Sequence, residues 1–391
     1  MEIYVVKPGD SVDSIATSHG ISPESVIYNN QLTYPYALAI GQALLLSIPS
    51  QRTSSYSAHT NGYAYPYINK DVLDETLPFL SSLSVFSYGF TPEGELIPPA
   101  TDDTFMITAA RSFDTSPLLT LTPFGPDGMF NNHLITALVN SEESKDALLQ
   151  NLLDTLNSKG FAGVDIDFEY ILPEDRVPFA DFVAQTRDFF APYGYPVSVA
   201  LAPKTSDNQQ GVLYEGKDYA LLGKAADSVL LMTYEWGYTY GPPMAVAPIN
   251  KVREVVDYAV TRIDPSKIDL GIPNYGYDFT LPYERGVSRA RTLSNNQAVQ
   301  LAISADVPIS FDEVAMSPFF QYEKDGVLHE VRGCQKSCGK IQPPASVRPS
   351  RNRGLADHDS VPGRVAAVSR PFFHYKVLES ERAAFVRRPF V

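Results

Sequence analysis

Cysteine is scarce in this 391-residue chain, and long apolar runs are absent. The two cysteines, Cys334 and Cys338, are too few for a disulfide framework or a zinc site, so they indicate neither a redox compartment nor a metal. No apolar stretch reaches the roughly 20 residues that cross a bilayer, and the first residues lack the charged leader and apolar segment of a secretory signal. We therefore expect no membrane span and no Sec-type signal peptide, and no motif requires a metal or an organic cofactor.

Basic residues are outnumbered by acidic ones, 31 Lys and Arg against 45 Asp and Glu, and the net charge is −14. This charge argues against nucleic acid as a partner of the whole chain. Its distribution is uneven, because residues 332–391 hold twelve Lys and Arg but four Asp and Glu, a net charge of +8. Residues 1–331 therefore carry a net charge of −22, so the last sixty residues differ in character from the rest.

The first 49 residues form a unit of their own. Short apolar strands at both ends enclose two helical segments, the first beginning at Ser11 and the second capped by Ser22, with Gly20 and Gly41 at the joints. This order predicts a small βααβ module. Residues 50–59 follow it with the polar composition of a flexible linker.

Apolar strands alternate with helical segments through residues 60–331. Seven candidate strands are found, at residues 63–67, 83–88, 118–121, 163–169, 197–201, 228–234 and 268–275. The alternation predicts an α/β fold with a parallel sheet, most simply a (β/α)8-type barrel. No eighth strand follows, since residues 332–391 contain six prolines and no sustained period. We therefore expect a barrel that lacks its native last strand.

Three carboxylates at alternate positions give the strongest functional signal. Asp165, Asp167 and Glu169 alternate with apolar residues over 163–169, so in a strand they share one face. Repulsion and desolvation make such a cluster costly unless chemistry needs a carboxyl with a raised pKa, and glycoside hydrolysis has that need. The alternative is a solvated edge strand. The helical segment at 141–158 favours a buried strand of a parallel barrel, whose carboxyl end carries catalytic groups.

The acidic segment resembles the glycoside hydrolase family 18 signature. Residues 163–170 match that signature, with Ala162 in the place of its first Asp. Residues 232–235 resemble the family's Met-x-Tyr-Asp strand, with Glu235 in the place of Asp, and residues 271–276 resemble the next strand. The likeness implies a glycosidase barrel over most of residues 60–331.

The amino-terminal module resembles the LysM family, which binds glycans containing N-acetylglucosamine, such as peptidoglycan and chitin. The likeness rests mainly on residues 4–11 and 41–49. The alternative is a LysM-shaped fold that binds nothing. By position, the resemblance places a glycan-binding groove between two segments, with Gly9, Asp10 and Ser11 on one side and Ala39 and Ile40 on the other. Together with residues 169–176 and 235–243, the module makes the chain similar to the spore-cortex-lytic N-acetylglucosaminidases of spore-forming bacteria.

The resemblance also implies a mechanism. Family 18 enzymes use the acetamido oxygen of the substrate as nucleophile, while an acid protonates the leaving oxygen. Glu169 would be that acid and later the base, and Asp167 would hold the acetamido group and raise the pKa of Glu169. Asp165 would share a proton or a hydrogen bond with Asp167, and Tyr234 would donate to the acetamido oxygen.

Further candidate sugar contacts come from residues near the strand ends. They are Met232, Glu235, Trp236, Asn274 and Tyr275, with the aromatic residues Tyr88, Phe90, Tyr238 and Tyr240 as further candidates. A buried aromatic is an equal alternative for Trp236, the only tryptophan in the chain, and Asn274 has the alternative of capping a turn.

We therefore expect a retaining, substrate-assisted hydrolase of β-1,4 bonds in an N-acetylglucosamine-containing polymer, with spore-cortex peptidoglycan as the favoured substrate. The alternative is a non-catalytic protein that binds peptidoglycan or chitin. A spore-associated location in coat or cortex and a cytoplasmic one are both compatible with the sequence. Oligomeric state, and the choice between chitin oligomers and cortex peptidoglycan, stay open at this point.

The last sixty residues have two interpretations. One is a basic, disordered segment that adheres to an anionic surface. Our preferred hypothesis is a frameshift near Val331: synonymous codons for residues 332–363, read from the second base, permit an alanine-rich helix and then an apolar strand ending in Trp. Family 18 barrels close with such a strand, and its loss would leave unpaired edges. Determining the nucleotide sequence tests the hypothesis, which fails if no alternative frame encodes that segment.

Overall fold

The structure, a computed structural model, describes residues 2–47, 59–125 and 128–333. It contains a small amino-terminal module, a parallel sheet covered by helices, and an antiparallel sheet that follows in the chain. The predicted linker at 50–59 lies outside the described residues except for its last residue. The predicted tail at 332–391, with its frameshift hypothesis and both cysteines, also lies outside them, apart from its first two residues.

The amino-terminal module has the predicted βααβ order. Its elements are β1 Glu2–Val5, α1 Val12–His19, α2 Pro23–Asn30 and β2 Ala43–Leu46. The two strands pair antiparallel. Serine side chains start both helices: Ser11 accepts a hydrogen bond from the N–H of Ser14, and Ser22 caps α2 in the same way. Gly20 ends α1 in the left-handed conformation, with φ 65°.

Seven parallel strands form the second part, as predicted. Together with the short antiparallel strand β5 Leu96–Ile97, the strands of this part are β3 Asn61–Ala64, β4 Ser82–Phe90, β6 Ser116–Leu121, β7 Gly163–Ile166, β8 Val197–Leu201, β9 Ser228–Leu231 and β10 Ile268–Leu270. Strand β5 pairs antiparallel with β4, and the other seven lie in the order β10-β9-β8-β7-β6-β4-β3. The predicted strand at 268–275 is too long, because only residues 268–270 belong to this sheet.

The parallel sheet curls into an incomplete, TIM-like barrel. Its helices are α3 Lys70–Thr76, α4 Thr104–Ser112, α5 Asn132–Val139, α6 Glu142–Lys159, α7 Arg176–Phe190, α8 Tyr219–Ala225 and α9 Ile249–Ala259. His59, just before β3, lies with its Nδ1 atom 3.8 Å from the Oδ1 atom of Asp269 on β10, so the two edge strands approach each other. Within the described residues, no eighth parallel strand joins these edges.

The main apolar core lies between the parallel sheet and its helices. Helix α6 contributes leucines at helical spacing, and these are Leu148, Leu149, Leu152, Leu153 and Leu156. All four residues of β7 are buried, and β7 lies between β6 and β8. The acidic strand is therefore an interior strand of the sheet and not a solvated edge.

Residues 275–332 form an antiparallel sheet that the sequence-based prediction missed. Its elements are β11 Tyr275–Thr280, β12 Arg291–Ser294, α10 Asn295–Ser304, β13 Ser310–Asp312, β14 Ser317–Lys324 and β15 Val327–Arg332. The strand order is β12-β11-β15-β14-β13. Asp325 and Gly326, both with positive φ, turn β14 into β15, and Asp-Gly is a strong hairpin signal that was overlooked.

The amino-terminal module packs against the antiparallel sheet through the loop before β2. The Ile309 N–H donates a hydrogen bond to the Ile40 carbonyl oxygen at 2.8 Å, and Ala39, 4% exposed, joins the apolar cluster of the sheet. Gly41 fits because it has no side chain: a Cβ there would lie 1.9 Å from the Ile309 carbonyl oxygen. The loop before β2 therefore forms a contact within the chain, between the amino-terminal module and the antiparallel sheet.

Candidate active site

The three acids lie at the carboxyl end of the parallel sheet. Asp165 belongs to β7 and is 1% exposed, Asp167 follows directly after the strand, and Glu169 stands two residues further on. The Asp167 N–H donates to the Leu121 carbonyl oxygen at 2.9 Å, so the backbone keeps to the line of β6 beyond the end of β7. Catalytic groups of parallel barrels lie at this end.

Phe168 anchors the acidic segment from the opposite side. It is fully buried, and its ring stacks on Phe90, Phe179 and Phe182 at centroid distances of 5.5, 5.6 and 6.1 Å. Phe90 ends β4, whereas the other two belong to α7. The burial of Phe168 among these rings fixes the backbone between Asp167 and Glu169.

A row of polar side chains surrounds Asp165 inside the sheet. Four residues on the neighbouring strands β6 to β9 are paired in register: Thr120, Asp165, Ser198 and Ser228. The Ser198 hydroxyl donates to Asp165 Oδ1 at 2.6 Å, and Tyr63 and Ser84 interact with the same carboxyl. The sequence held a signal for part of this row, because Thr120 and Ser198 each interrupt an apolar run, but the prediction did not use it.

Two of the three acids, Asp167 and Asp165, have raised pKa values. Burial, followed by the charges of Glu169 and Asp165, raises the pKa of Asp167 to about 8. Burial also raises the pKa of Asp165, although its hydrogen bond from Ser198 acts in the opposite direction. Asp167 Oδ1 and Asp165 Oδ2 are enclosed and have no hydrogen-bond partner in the part of the chain that the structure describes. Asp167 therefore holds a proton at neutral pH, which removes one negative charge from the cluster.

Replacing Asp167 by Asn should make stability less dependent on pH. The pKa of this carboxyl is about 8 in the folded chain against an ordinary value of 3.8, so the unfolded chain releases the proton first as pH rises. The stability that the protonated group contributes is complete below the lower value and is lost as pH rises to the upper one. We expect Asp167→Asn to be more stable than the unmodified chain at pH 8. The difference in the free energy of unfolding between the two proteins should be larger at pH 8 than at pH 5 by more than about 1 kcal/mol.

Urea unfolding at both pH values measures this difference, followed by the fluorescence of Trp236, which packs against the main core. The exposed Asp146→Asn on α6 is the matched control and should show no such trend. An advantage of equal size at pH 5 and pH 8 would contradict the raised pKa of Asp167.

Tyr234, just beyond β9, lies in the same cluster. Gly271 leaves room for its ring, because a Cβ on Gly271 would lie 2.5 Å from Tyr234 Cε1. Burial first, and then the charges of Asp165, Asp167 and Tyr234, raise the pKa of Tyr63 well above its usual value, so these groups surround one point. The structure thus brings together the residues with predicted catalytic roles, which are Glu169, Asp167, Asp165 and Tyr234.

Glu235 is held by the antiparallel sheet. Its Oε1 atom accepts hydrogen bonds from the Tyr275 hydroxyl at 2.5 Å and from the Tyr277 hydroxyl at 2.7 Å. Glu235 has a φ of 69°, an unfavourable conformation that these two contacts help to retain. Burial, then the charge of Glu235, raises the pKa of Tyr275 well above its usual value. The predicted sugar contacts Glu235 and Tyr275 therefore contact each other, and the sequence did not indicate the role of Tyr277.

Outside β4, the other residues predicted to contact a sugar are all half-buried. Met232 and Asn274 are half-buried close to the ends of β9 and β10. Trp236 is half-buried and packs against the main core, which favours the interpretation as a core aromatic. Tyr238 and Tyr240 are half-buried in the loop after Trp236.

The prediction that Tyr88 and Phe90 contact a sugar is wrong. Both belong to the main core, with 1% and 0% exposure. The Tyr88 hydroxyl donates a hydrogen bond to the buried Asp103 at 2.5 Å. They lie on β4, in which nearly every residue is buried. Residue type alone therefore could not show which face of the sheet each side chain occupies.

The two sides of the predicted LysM groove differ in accessibility. Gly9 and Ser11 are exposed, while Asp10 Oδ2 accepts hydrogen bonds from the Tyr4 hydroxyl and the Lys7 N–H, both at 2.7 Å. On the other side, Ala39 is covered by the antiparallel sheet and the Ile40 carbonyl is bonded to Ile309, although the Ile40 side chain is 46% exposed. Ala39 is therefore not open to a glycan in this arrangement, because a contact distant in sequence covers it.

Residues 2–47, 59–125 and 128–333 contain no group of three or more His, Cys, Asp or Glu side chains placed to hold a metal ion. The same ranges contain no helix with the length and apolarity that crossing a membrane requires.

Comparisons with known proteins match two family models. The model for glycosyl hydrolases family 18 matches residues 125–331, and the LysM domain model matches residues 4–47. The cortical fragment-lytic enzyme of Bacillus subtilis (strain 168) is 33% identical over 383 residues, covering 85% of this chain and 88% of that protein. The corresponding enzyme of Bacillus anthracis is 34% identical over 384 residues, with the same coverage.

A solved structure has a similar fold. The Bacillus cereus spore cortex-lytic enzyme SleL superposes with a TM-score of 0.79 and 30% sequence identity. The match covers 85% of this chain and 89% of that one. It extends over the LysM-like module and the barrel together, since neither part alone reaches that share of the chain.

Proposed function

The chain belongs to glycosyl hydrolase family 18 and carries a LysM domain, and we propose that it hydrolyses β-1,4 bonds next to N-acetylglucosamine in spore-cortex peptidoglycan. The relatives named for lysis of cortex or cortical fragments support this substrate. The observation that carries the proposal is the cluster at the carboxyl end of the sheet, in which the half-buried Glu169 stands beside the enclosed carboxyl oxygens of Asp165 and Asp167. A spore-associated location follows from the same proposal.

The first step uses the substrate's own acetamido group. Its oxygen attacks the anomeric carbon while the bond to the leaving oxygen breaks, and Glu169 gives its proton to that oxygen. A cyclic cation remains on the sugar, and the Tyr234 hydroxyl donates a hydrogen bond to its oxygen. Glu169, now a carboxylate, then takes a proton from water, which attacks the anomeric carbon and reopens the ring. Two inversions give retention of configuration.

Asp167 supplies the proton for this sequence. Its pKa of about 8 keeps it protonated before the substrate binds. An acetamido N–H approaching Asp167 is best accepted by the carboxylate, so binding displaces the proton, and Glu169 is the neighbouring acceptor. The proton then stands where the leaving oxygen needs it. Asp165 is held in place by the hydrogen bond from Ser198.

The antiparallel sheet and the LysM domain serve substrate binding. Tyr275 and Tyr277 hold Glu235 beside Tyr234, which sets the wall of the sugar site on the side of β9. The LysM domain raises the effective concentration of the barrel at the polymer. Gly9 and Ser11 remain exposed while the loop before β2 packs against the antiparallel sheet.

Hydrolysis of purified cortex peptidoglycan and of a chromogenic N-acetylglucosamine oligomer tests the proposal. We expect cortex fragments with N-acetylglucosamine at the reducing end, first released in the β-anomeric form, and faster turnover of cortex than of the oligomer. The same assay on a version with the restored reading frame tests the frameshift hypothesis. Binding to cortex without any release by either version would instead support the non-catalytic alternative.

A further inference from the structure

Lys217 places a second kind of charge inside the barrel. It is 0% exposed, and its Nζ donates one hydrogen bond, to the Ala200 carbonyl oxygen at 3.0 Å. No other hydrogen bond of this ammonium is found in the described part of the chain. A buried ammonium with one neutral partner is costly, so it persists where negative charge lies close by.

The register of the sheet shows that this negative charge belongs to the pair of Asp167 and Glu169. Val199 of β8 pairs with Ile166 of β7, so the next residues along, Ala200 and Asp167, stand side by side where the strands end. The ammonium of Lys217, bonded to Ala200, is therefore held at the strand edge that carries Asp167. Desolvation lowers the pKa of Lys217, and the charges of Asp167 and then Glu169 oppose this.

The loop between β8 and α8 delivers Lys217 to this place. Lys204 Nζ donates to the carbonyl oxygens of Lys217 at 2.8 Å and Tyr214 at 3.1 Å, which fixes the backbone on both sides of the turn. Gly216 approaches the acidic segment so closely that a Cβ there would lie 2.1 Å from the Ile171 carbonyl oxygen. The position of Lys217 is thus set by backbone contacts and does not depend on an ion pair forming.

We propose that Lys217 is a positioning residue whose ammonium balances the charge of Asp167 and Glu169 and sets how many protons this pair holds. The inference rests on the proposed function for its consequence in catalysis. Other titratable groups around the pair are Asp165 of β7, Tyr63 of β3, Tyr234 after β9, Asp269 of β10 with His59 beside it, and Lys204 on the loop. The acids and phenols among them favour protonation of the pair, and Lys217 opposes it.

Removing the charge of Lys217 should raise the proton affinity of the pair. We expect the titration midpoint of the Asp167 carboxyl to rise by about one pH unit in Lys217→Met, and by a similar amount in Lys217→Gln. Carboxyl-carbon NMR of protein labelled at aspartate measures the midpoint, with the Asp167 signal assigned by its loss in Asp167→Asn. Both midpoints in the pH dependence of kcat/KM should shift to higher pH together with the Asp167 midpoint. Lys145→Met, which removes a buried lysine that pairs with Glu142 on α6, is the control and should leave the midpoint in place.

The reciprocal measurement does not depend on a Lys217 variant that folds. In Asp167→Asn, which removes the charge that Asp167 carries above a pH of about 8, the midpoint of the Lys217 ammonium should fall by about one pH unit, as seen by NMR of labelled lysine side chains. An unmoved midpoint in either experiment would overturn the role of Lys217, even if a variant lost activity through poor packing. These titrations need no turnover, so absence of hydrolysis by both the unmodified chain and the version with the restored reading frame would overturn the proposed function and leave the charge coupling standing.

Discussion

Replacing Glu169 by Gln should abolish hydrolysis of cortex peptidoglycan while leaving binding to the polymer unchanged. A positioned acid–base group contributes about 10²–10⁴-fold to a rate, and Glu169 serves as acid in one step and as base in the next. We therefore expect kcat to fall by about 10³-fold or more. Gln has nearly the same shape, but its amide cannot give a proton to the leaving oxygen or take one from water.

The structure separates this effect from misfolding. Glu169 is half-buried, and the chain on its amino-terminal side is held by Phe168, so we expect Glu169→Gln to keep the fold. The exposed Glu174→Gln, five residues along, is the matched control and should retain full activity. Release of soluble fragments and sedimentation with insoluble peptidoglycan measure hydrolysis and binding. Turnover of Glu169→Gln at the rate of the unmodified chain would remove Glu169 from the mechanism.

The sequence predicted those features of the site that depend on neighbours along the chain. Asp165, Asp167 and Glu169 alternate with apolar residues within one segment, and the flanking helix reveals that the segment is buried. The seven strands were found for the same reason. The polar residues of adjacent strands, such as Ser198, were visible as interruptions of apolar runs, but their meeting with Asp165 depends on register.

Other features depend on contacts between residues far apart and left no local pattern. Lys217 lies in a loop rich in polar residues, and nothing around it distinguishes a buried ammonium from a solvated one. Ala39 is covered because Ile309, 270 positions later, packs on the loop beside it. The antiparallel sheet was missed for a different reason: the strand predicted at 268–275 was extended across a boundary, which hid the start of β11 at Tyr275.

Replacing Phe168 by Ala should lower the free energy of unfolding of the barrel by about 3–5 kcal/mol. Phe168 is fully buried among three aromatic rings, so truncation removes apolar contacts and leaves a cavity between β7 and α7. Phe168→Leu fills part of that space and should lose clearly less. Urea unfolding followed by Trp236 fluorescence measures both, because this tryptophan packs against the same core.

The expected loss at Phe168 has a consequence for the site, because the acids raise the free energy of the folded chain. The raised pKa of Asp167 is a direct sign of that cost at neutral and alkaline pH. The aromatic stack offsets this cost on the other face of the same backbone segment. We therefore expect Phe168→Ala to lower the free energy of unfolding most at pH 8. The loss should be smallest in an Asp167→Asn background, where the charge is gone. A loss below about 1 kcal/mol for Phe168→Ala would contradict the stack as the anchor. An equal loss in both backgrounds would show that core and acid cluster act independently.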